Sequence, residues 1–472
     1  MQKNKINNNY IKQVMKKKKI LLLSDDLRMA SGIANVSKQL VLGTVDKYDW
    51  VQLGAAINHP EEGKMLDLSE DIKRATGVTD ASVKIIPFNG YGNADVIRQL
   101  IMVEQPDAIL HFTDPRYWIW LYDIEHEIRQ SVPLFFYHIW DDLPDPKYNR
   151  DYYESCDWIG CISKQTYGIT KRVYGSTAEP QWDSAKDWQV SYVPHGINSE
   201  LYKPVDVPAD FKKNILGGKE YDFVLYWNNR NIRRKQSTDI ILAFEDFVKE
   251  LPKEKRDKIC LLMHTKPVDE NGTDLYTVIK DCAPNSTVIF DQTNYTELEL
   301  NYLYNIADVT INVASNEGFG LATAESIMAG TPIIVNVTGG LQDQCGFEID
   351  GKYLTADDYI TIGSLHNKKK YEKIKHGEWV KPIFPVRSTA GSILTPYIFD
   401  DRVDYADITP LIREWYETPK EDRKSAGLAG RDWLLGEGGL STQNMCKTLI
   451  DGMETAFENW QPRKKYKLYK LG

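Results

Sequence analysis

The chain has little of what builds disulfide or metal scaffolds. Six cysteines lie scattered at 156, 161, 260, 282, 345 and 446, and none forms a Cys-x-x-Cys pair. That spacing argues against a zinc ribbon and a disulfide framework. Scattered thiols suit a reducing compartment, so a cytoplasmic location is expected. No apolar run approaches the roughly 18 residues that span a bilayer, and the run 20–23 is too short for a secretory signal. There is no Asp-x-Asp pair for a metal-bound diphosphate, no Gly-x4-Gly-Lys-Ser/Thr phosphate loop, no His-Glu-x-x-His and no Gly-x-Ser-x-Gly. Neither a metal site nor a resident cofactor is expected.

Acidic residues are missing from both ends. Residues 1–19 carry seven lysines and no acid, and 461–472 carry five basic residues and no acid. The net charge is −9, so the body between them carries −21. Solvated basic ends on an acidic body are the ordinary reading, and contact with nucleic acid or an anionic membrane is the other.

Within the body, short apolar strands alternate with helical stretches. "KKILLLSDD" (18–26) reads as a buried strand, and "RMASGIAN" leads from it into a helix. Strands follow at 83–88, 107–112, 133–140, 157–163 and 188–196. A proline- and glycine-bearing break at 198–220 precedes a second series at 222–229, 259–265, 286–292, 308–314 and 331–337. Alternation of this kind predicts an α/β chain of two Rossmann-like halves with parallel sheets. The expected organisation is a basic leader at 1–19, a first half at 20–203 and a second at 204–440. An irregular basic insertion is expected at about 343–392, and a closing helix and basic tail at 441–472.

The stretch "ASNEGFGLATAESIMAGTPIIV" (314–335) is the most informative. It reads as a strand entering a glycine-rich turn, Gly318-Phe319-Gly320, and then a helix from Leu321. Backbone amides at such a turn and helix start can hold a phosphate, and glycine lets it approach. Glu317 stands before the turn, where it could meet sugar hydroxyls, and Glu325 is placed to reach a ribose diol. In "YWNNRNIRRKQS" (226–237), Arg230 and Lys235 follow the first strand of the second half, where cations can neutralise a diphosphate without a metal. Gly32 follows the first strand of the first half. His138 ends a strand, where it either faces the interdomain side or is a satisfied core residue.

Together these residues resemble the retaining family-4 glycosyltransferases of GT-B fold. The match is a Glu-x7-Glu region (Glu317, Glu325) with an Arg-x4-Lys pair (Arg230, Lys235), and Gln236 stands where that family has glycine. "VPHGINSELYKP" (193–204) is similar to its interdomain segment, with His195 in place of asparagine. The resemblance implies an enzyme moving a hexose or pentose from a nucleotide-sugar, UDP- or GDP-linked, to an acceptor hydroxyl with retention and without metal. It implies Arg230 and Lys235 on the diphosphate, amides of Phe319–Leu321 on phosphate or sugar, and Glu317 on sugar hydroxyls. Glu325 would take the ribose, and Phe290 and Asp291 would lie near the base. His138 would orient sugar or acceptor. His111, Asp141, Trp118 and Lys369 are the acceptor candidates. The acceptor is open among a glycan, a small molecule, a lipid-linked sugar and a hydroxymethylated base in phage DNA. For DNA, Trp118, Trp120 and Trp379 would support a flipped base. A sugar-nucleotide epimerase and a non-catalytic nucleotide-sugar or nucleic-acid binding module are the alternatives.

Overall fold

The computed structural model describes residues 16–174, 186–366 and 373–464. Two sheets dominate. The first has eight strands in the order β3-β4-β2-β1-β5-β6-β7-β8. They are β1 (Lys18–Asp25), β2 (Tyr48–Ala55), β3 (Leu66–Asp67), β4 (Val83–Pro87), β5 (Ala108–Phe112), β6 (Leu134–His138), β7 (Trp158–Cys161) and β8 (Val190–Tyr192). All pair in parallel except β3 with β4. The second sheet has the order β11-β10-β9-β12-β13-β16 and is parallel throughout. Its strands are β9 (Phe223–Asn228), β10 (Ile259–His264), β11 (Val288–Asp291), β12 (Val309–Asn312), β13 (Ile333–Asn336) and β16 (Val380–Ile383).

Helices cover both faces of each sheet, which is why β1 is apolar without alternation: Ile20 and Leu22 enter one core, Leu21 and Leu23 the other. In each sheet the strand order reverses beside the first strand, β1 or β9. A crevice therefore opens at the C-terminal strand ends, where open α/β sheets bind ligands.

Two stretches depart most from the sequence reading. The pattern does not mark β2, because Asp49 and Gln52 interrupt its apolar run. Gln52 is nonetheless buried, its amide donating to the Asp25 carbonyl (2.8 Å) and its oxygen accepting from Leu27 N (3.1 Å). The stretch 343–392 is not one irregular insertion. It holds the small hairpin of β14 (Glu348–Ile349) and β15 (Lys352–Tyr353), helix Asp358–Ile362, and then β16. That strand is four residues long and contains Lys381 and Pro382, a composition an edge position tolerates. β17 (Val386–Ala390) pairs antiparallel with β18 (Ile398–Arg402) beyond it.

Contacts between the halves run along both of these segments. Helix Lys164–Tyr174 of the first half is gripped by 342–360 of the second. Lys164 N donates to Asp343 Oδ2 (2.9 Å), Gln342 Nε2 to Gln165 Oε1 (2.8 Å) and Arg172 Nη1 to the Tyr359 carbonyl (2.7 Å). The β17–β18 hairpin reaches the first half where Tyr148 Oη donates to the Tyr397 carbonyl (2.9 Å) and Arg116 Nη1 to Thr395 Oγ1 (2.8 Å). Helix Thr442–Asn459, capped by Ser441, lies on the first sheet. Met445, Leu449, Met453 and Ala456 form its buried stripe, and Glu454 accepts from Lys18 Nζ (2.6 Å) and Tyr48 Oη (2.8 Å).

Candidate functional site

The glycine turn stands in the crevice. Gly320 caps helix Leu321–Met328 in the left-handed region (φ 87°), which glycine adopts without Cβ strain. A side chain at Gly318 would stand 3.2 Å from Ile162 Cδ1 and 3.3 Å from the Ile139 carbonyl, so the turn is pressed against the ends of β6 and β7. A side chain at Gly32 would stand 3.5 Å from Leu321 Cδ1. The structure thus brings Gly32 and the turn Gly318–Leu321 together across the two halves.

Beside the turn lies an ionic cluster built around the buried Lys235, with Glu317 and Arg234 half-buried. Lys235 Nζ is paired with Glu317 Oε2, and Arg234 Nη1 is 3.7 Å from the same oxygen. Burial alone would raise the Glu317 carboxyl, but the charges of Lys235 and Arg234 outweigh it and hold the group below its ordinary value. Burial pushes the Lys235 ammonium down, with Glu317 opposing. Asp141 joins the cluster electrostatically, pushed up by burial and pulled back by Arg234. Asp142 beside it is pushed up to about 9, by burial first and by Asp141 second, and it accepts from the Asn316 amide.

Arg230 is not in this cluster. Its side chain is 60% exposed and forms a fork with Asp269 (2.7 and 3.1 Å). Arg234 stands next to Glu317 instead and donates to the Asn316 carbonyl (2.6 Å). The cause is local: Arg233–Lys235 form one 3₁₀ turn that ends at Gln236 in the left-handed region (φ 50°), a conformation glycine adopts without Cβ strain. The Gln236 amide bonds the Val313 carbonyl, tying this turn to the end of β12.

Four other expected residues are core residues. His138 turns to the side of Phe136 and Tyr153, 2% exposed, with Nδ1 3.0 Å from Thr170 Oγ1. His111 lies between Tyr122 Oη (2.8 Å) and Thr113 Oγ1 (3.0 Å) and stacks on Phe136. Burial pulls both imidazoles down to about 3, so they are neutral packing elements. Trp118 is fully buried, and Trp379 packs on Trp433 while donating to the Gln344 carbonyl (2.9 Å), so neither can stack on an extruded base. Trp120 is half-buried, its indole N–H on the Tyr91 carbonyl (3.2 Å). Lys369 lies outside the described residues. His138→Gln and His111→Gln should each lower stability by about 1–3 kcal/mol, with turnover of the folded fraction within severalfold of the parent. Urea unfolding beside kinetics reads both, and a hundredfold loss in stably folded protein would restore a catalytic role.

Further along the sheet, Glu325 is buried in a nest of tyrosines. Tyr304, from helix Glu297–Ile306, donates to its Oε2 (2.6 Å), while the buried Tyr226 hydroxyl has no hydrogen-bond partner among the described residues. Burial pushes the Glu325 carboxyl up to about 7. At the end of β11, Phe290 is half-buried against Tyr276 (5.3 Å). Asp291 accepts from Thr293 N (3.1 Å), and its other oxygen is buried with no partner among the described residues. Residues not singled out from the sequence also converge here. His195 presents its ring edge to Phe319 (5.3 Å) and hydrogen-bonds Tyr137 Oη (2.8 Å), and its only signal was its place in the segment 193–204.

Residues 209–357 match the family model Glycosyl transferases group 1. No curated protein matches the chain in sequence. Among solved structures, Anabaena HepE in complex with UDP and glucose is similar at 12% identity (TM-score 0.59), over 93% of this chain and 100% of that one. A Rickettsia africae glycosyltransferase is similar at 11% identity (TM-score 0.62), over 94% and 100%. The sucrose-phosphate synthase of Thermosynechococcus elongatus is similar at 14% identity (TM-score 0.61), over 94% and 100%. At these identities the likeness is one of fold, and the fold is GT-B: two Rossmann-like halves facing across a crevice.

Proposed function

We propose that the protein transfers a sugar from a nucleotide-sugar to an acceptor hydroxyl, with retention and without metal. The observation that carries this is the convergence of Lys235 and Arg234 on Glu317 beside the glycine turn, within the segment matching Glycosyl transferases group 1. Glycosyl transfer needs stabilisation of the departing diphosphate, and fixed cations in a desolvated crevice supply it without reorganising. The diphosphate lies between these cations, Gly32 and the amides of Phe319–Leu321. Glu317 is kept ionised by its partners and accepts from sugar hydroxyls. The acceptor attacks from the leaving-group face, and a phosphate oxygen takes its proton. Asp141 lies beside this point as an acceptor contact. HepE, bound to UDP and glucose in its own structure, supports a UDP-sugar as the first donor to try.

A panel of UDP- and GDP-sugars, assayed for binding and slow hydrolysis, tests the reading. One donor should be hydrolysed by the parent and not by Lys235→Ala, and no binding of any nucleotide-sugar would overturn it. Proton NMR of a product should show the donor's anomeric configuration. Activity should survive EDTA, because Lys235 and Arg234 already occupy the leaving-group side; complete, metal-reversible loss would contradict this. Glu325→Ala should raise the donor KM and leave kcat nearly unchanged, since a ribose contact is made equally in ground and transition states.

A further inference from the structure

Glu325 does not stand alone. Tyr304, which donates to it, also accepts from Asn228 Nδ2 (3.0 Å), and Asn228 Oδ1 is 3.0 Å from His264 Nδ1. The other imidazole nitrogen, Nε2, is 2.9 Å from the Thr293 carbonyl. Asn228 and His264 are register partners at the C-terminal ends of β9 and β10. The chain therefore runs from the half-exposed ring of His264 to the buried carboxylate of Glu325.

Its directions of donation are constrained. A carbonyl accepts only, so Nε2 must carry a proton toward Thr293. With Asn228 oriented as described, its Oδ1 also accepts, so Nδ1 carries a proton too and the ring is an imidazolium. Tyr304 then spends its one proton on Glu325 Oε2, which accepts it as an ionised carboxylate does. With the Asn228 amide reversed, Nδ2 donates to a bare Nδ1 and the ring is neutral. Oδ1 then takes the Tyr304 proton, and Glu325 satisfies Tyr304 only by donating, as a carboxylic acid. A neutral ring beside an ionised Glu325 leaves two acceptors facing each other somewhere along the chain, so the ionised carboxylate requires the imidazolium. An amide has no third arrangement.

We propose that Asn228 and His264 are positioning residues for Glu325, joined to it through Tyr304 in a relay that couples the charge on the imidazole to the charge on the carboxylate. The proposal rests on the reading of Glu325 as the ribose contact. A ribose diol donates two hydrogen bonds, so it selects the ionised carboxylate and with it the imidazolium. Other groups face the two ends. Asp291 on β11 and Tyr295 stand beside His264, and Tyr202, Tyr226 and Glu297 stand about Glu325. Tyr226 interacts electrostatically with Glu325 and with Asp291 and Tyr295, but among the described residues no hydrogen bond of its hydroxyl joins the two ends as Tyr304 does.

The test is ring ¹⁵N NMR of His264 in the full chain at pH 7, with and without saturating UDP, in parent and Tyr304→Phe. In the parent, UDP should raise the doubly protonated population of the ring at least threefold. In Tyr304→Phe it should not, and that variant should show a donor KM raised about tenfold with kcat retained. A rise that persists in Tyr304→Phe is through-space attraction by the diphosphate and overturns the relay, as does no rise in the parent. Should neither UDP nor GDP bind the parent, the donor reading fails. The relay is then judged without ligand: an identical His264 protonation state in parent, Tyr304→Phe and Glu325→Gln overturns it.

Discussion

Lys235→Ala should lower turnover by about 10²–10³, the scale for removing one preorganised contact to developing charge. The structure ranks its neighbours. Arg234→Ala should cost nearly as much, because Arg234 is the second cation on Glu317, while Arg230→Ala should cost less than about tenfold, because Arg230 is exposed and engaged by Asp269. Removing Lys235 also strands a buried carboxylate, which costs about 3–5 kcal/mol when a buried pair loses one member. A loss of activity could therefore be a loss of fold. The double variant Lys235→Met with Glu317→Gln separates the two, since it should recover stability in urea and recover no turnover. Equal losses for Arg230→Ala and Lys235→Ala in folded protein would show that Arg230 leaves Asp269 when donor binds, and would sink the ranking.

Gly339→Ala should damage the site without touching any charged group. Gly339 has φ 47°, and a Cβ there would run into the Glu317 carbonyl, while Gly340 N donates to that same carbonyl at 2.9 Å. Either residue 339 or the turn carrying Glu317 has to move. The left-handed backbone costs an alanine about 1–2 kcal/mol, and overpacking adds about 1–3 kcal/mol. Urea unfolding should show a loss of about 2–5 kcal/mol, and donor hydrolysis should fall at least about a hundredfold, since small misplacements carry such costs. Gly351→Ala is the control. Its φ is 77° but none of the described residues stands within 4 Å of its Cβ position, so it should lose only the backbone part and keep full activity. Comparable activity in the two alanine variants would mean that Gly339 does not brace Glu317.

The legible parts of the chain were those in which one residue type has one physical use. A strand entering Gly318-Phe319-Gly320 with carboxylates on either side marks a glycine turn at a helix start, and it stands in the crevice. The place of Lys235 beside Glu317 was legible as well. Arg230 and Arg234 were not separable, because four cations in six residues are chemically alike and only the fold of the 3₁₀ turn decides which points inward. His138 misled for a related reason. In a parallel sheet both faces are buried, so apolar periodicity does not say whether a strand-end histidine meets the crevice or, as here, Thr170. β16 hid behind Lys381 and Pro382. Asn228, His264 and Tyr304 come from two strand ends and a helix spread over 77 positions, and no local pattern joins them.

The helix Thr442–Asn459 bears on how this molecule is made. It closes the side of the sheet that begins at β1, and its Glu454 contacts Tyr48 across a sequence separation of 406 residues. Ribosomes add about 5–20 residues each second, so the strands at the start of the chain emerge on the order of tens of seconds before the surface that covers them. During that interval helix Gly32–Thr44 and the strands β7 and β8 lack the cover that helix Thr442–Asn459 provides, and the growing chain resembles a chaperone client more than a finished domain. Ribosome-bound chains halted before residue 442 should be far more sensitive to protease in the first half than chains released after residue 460.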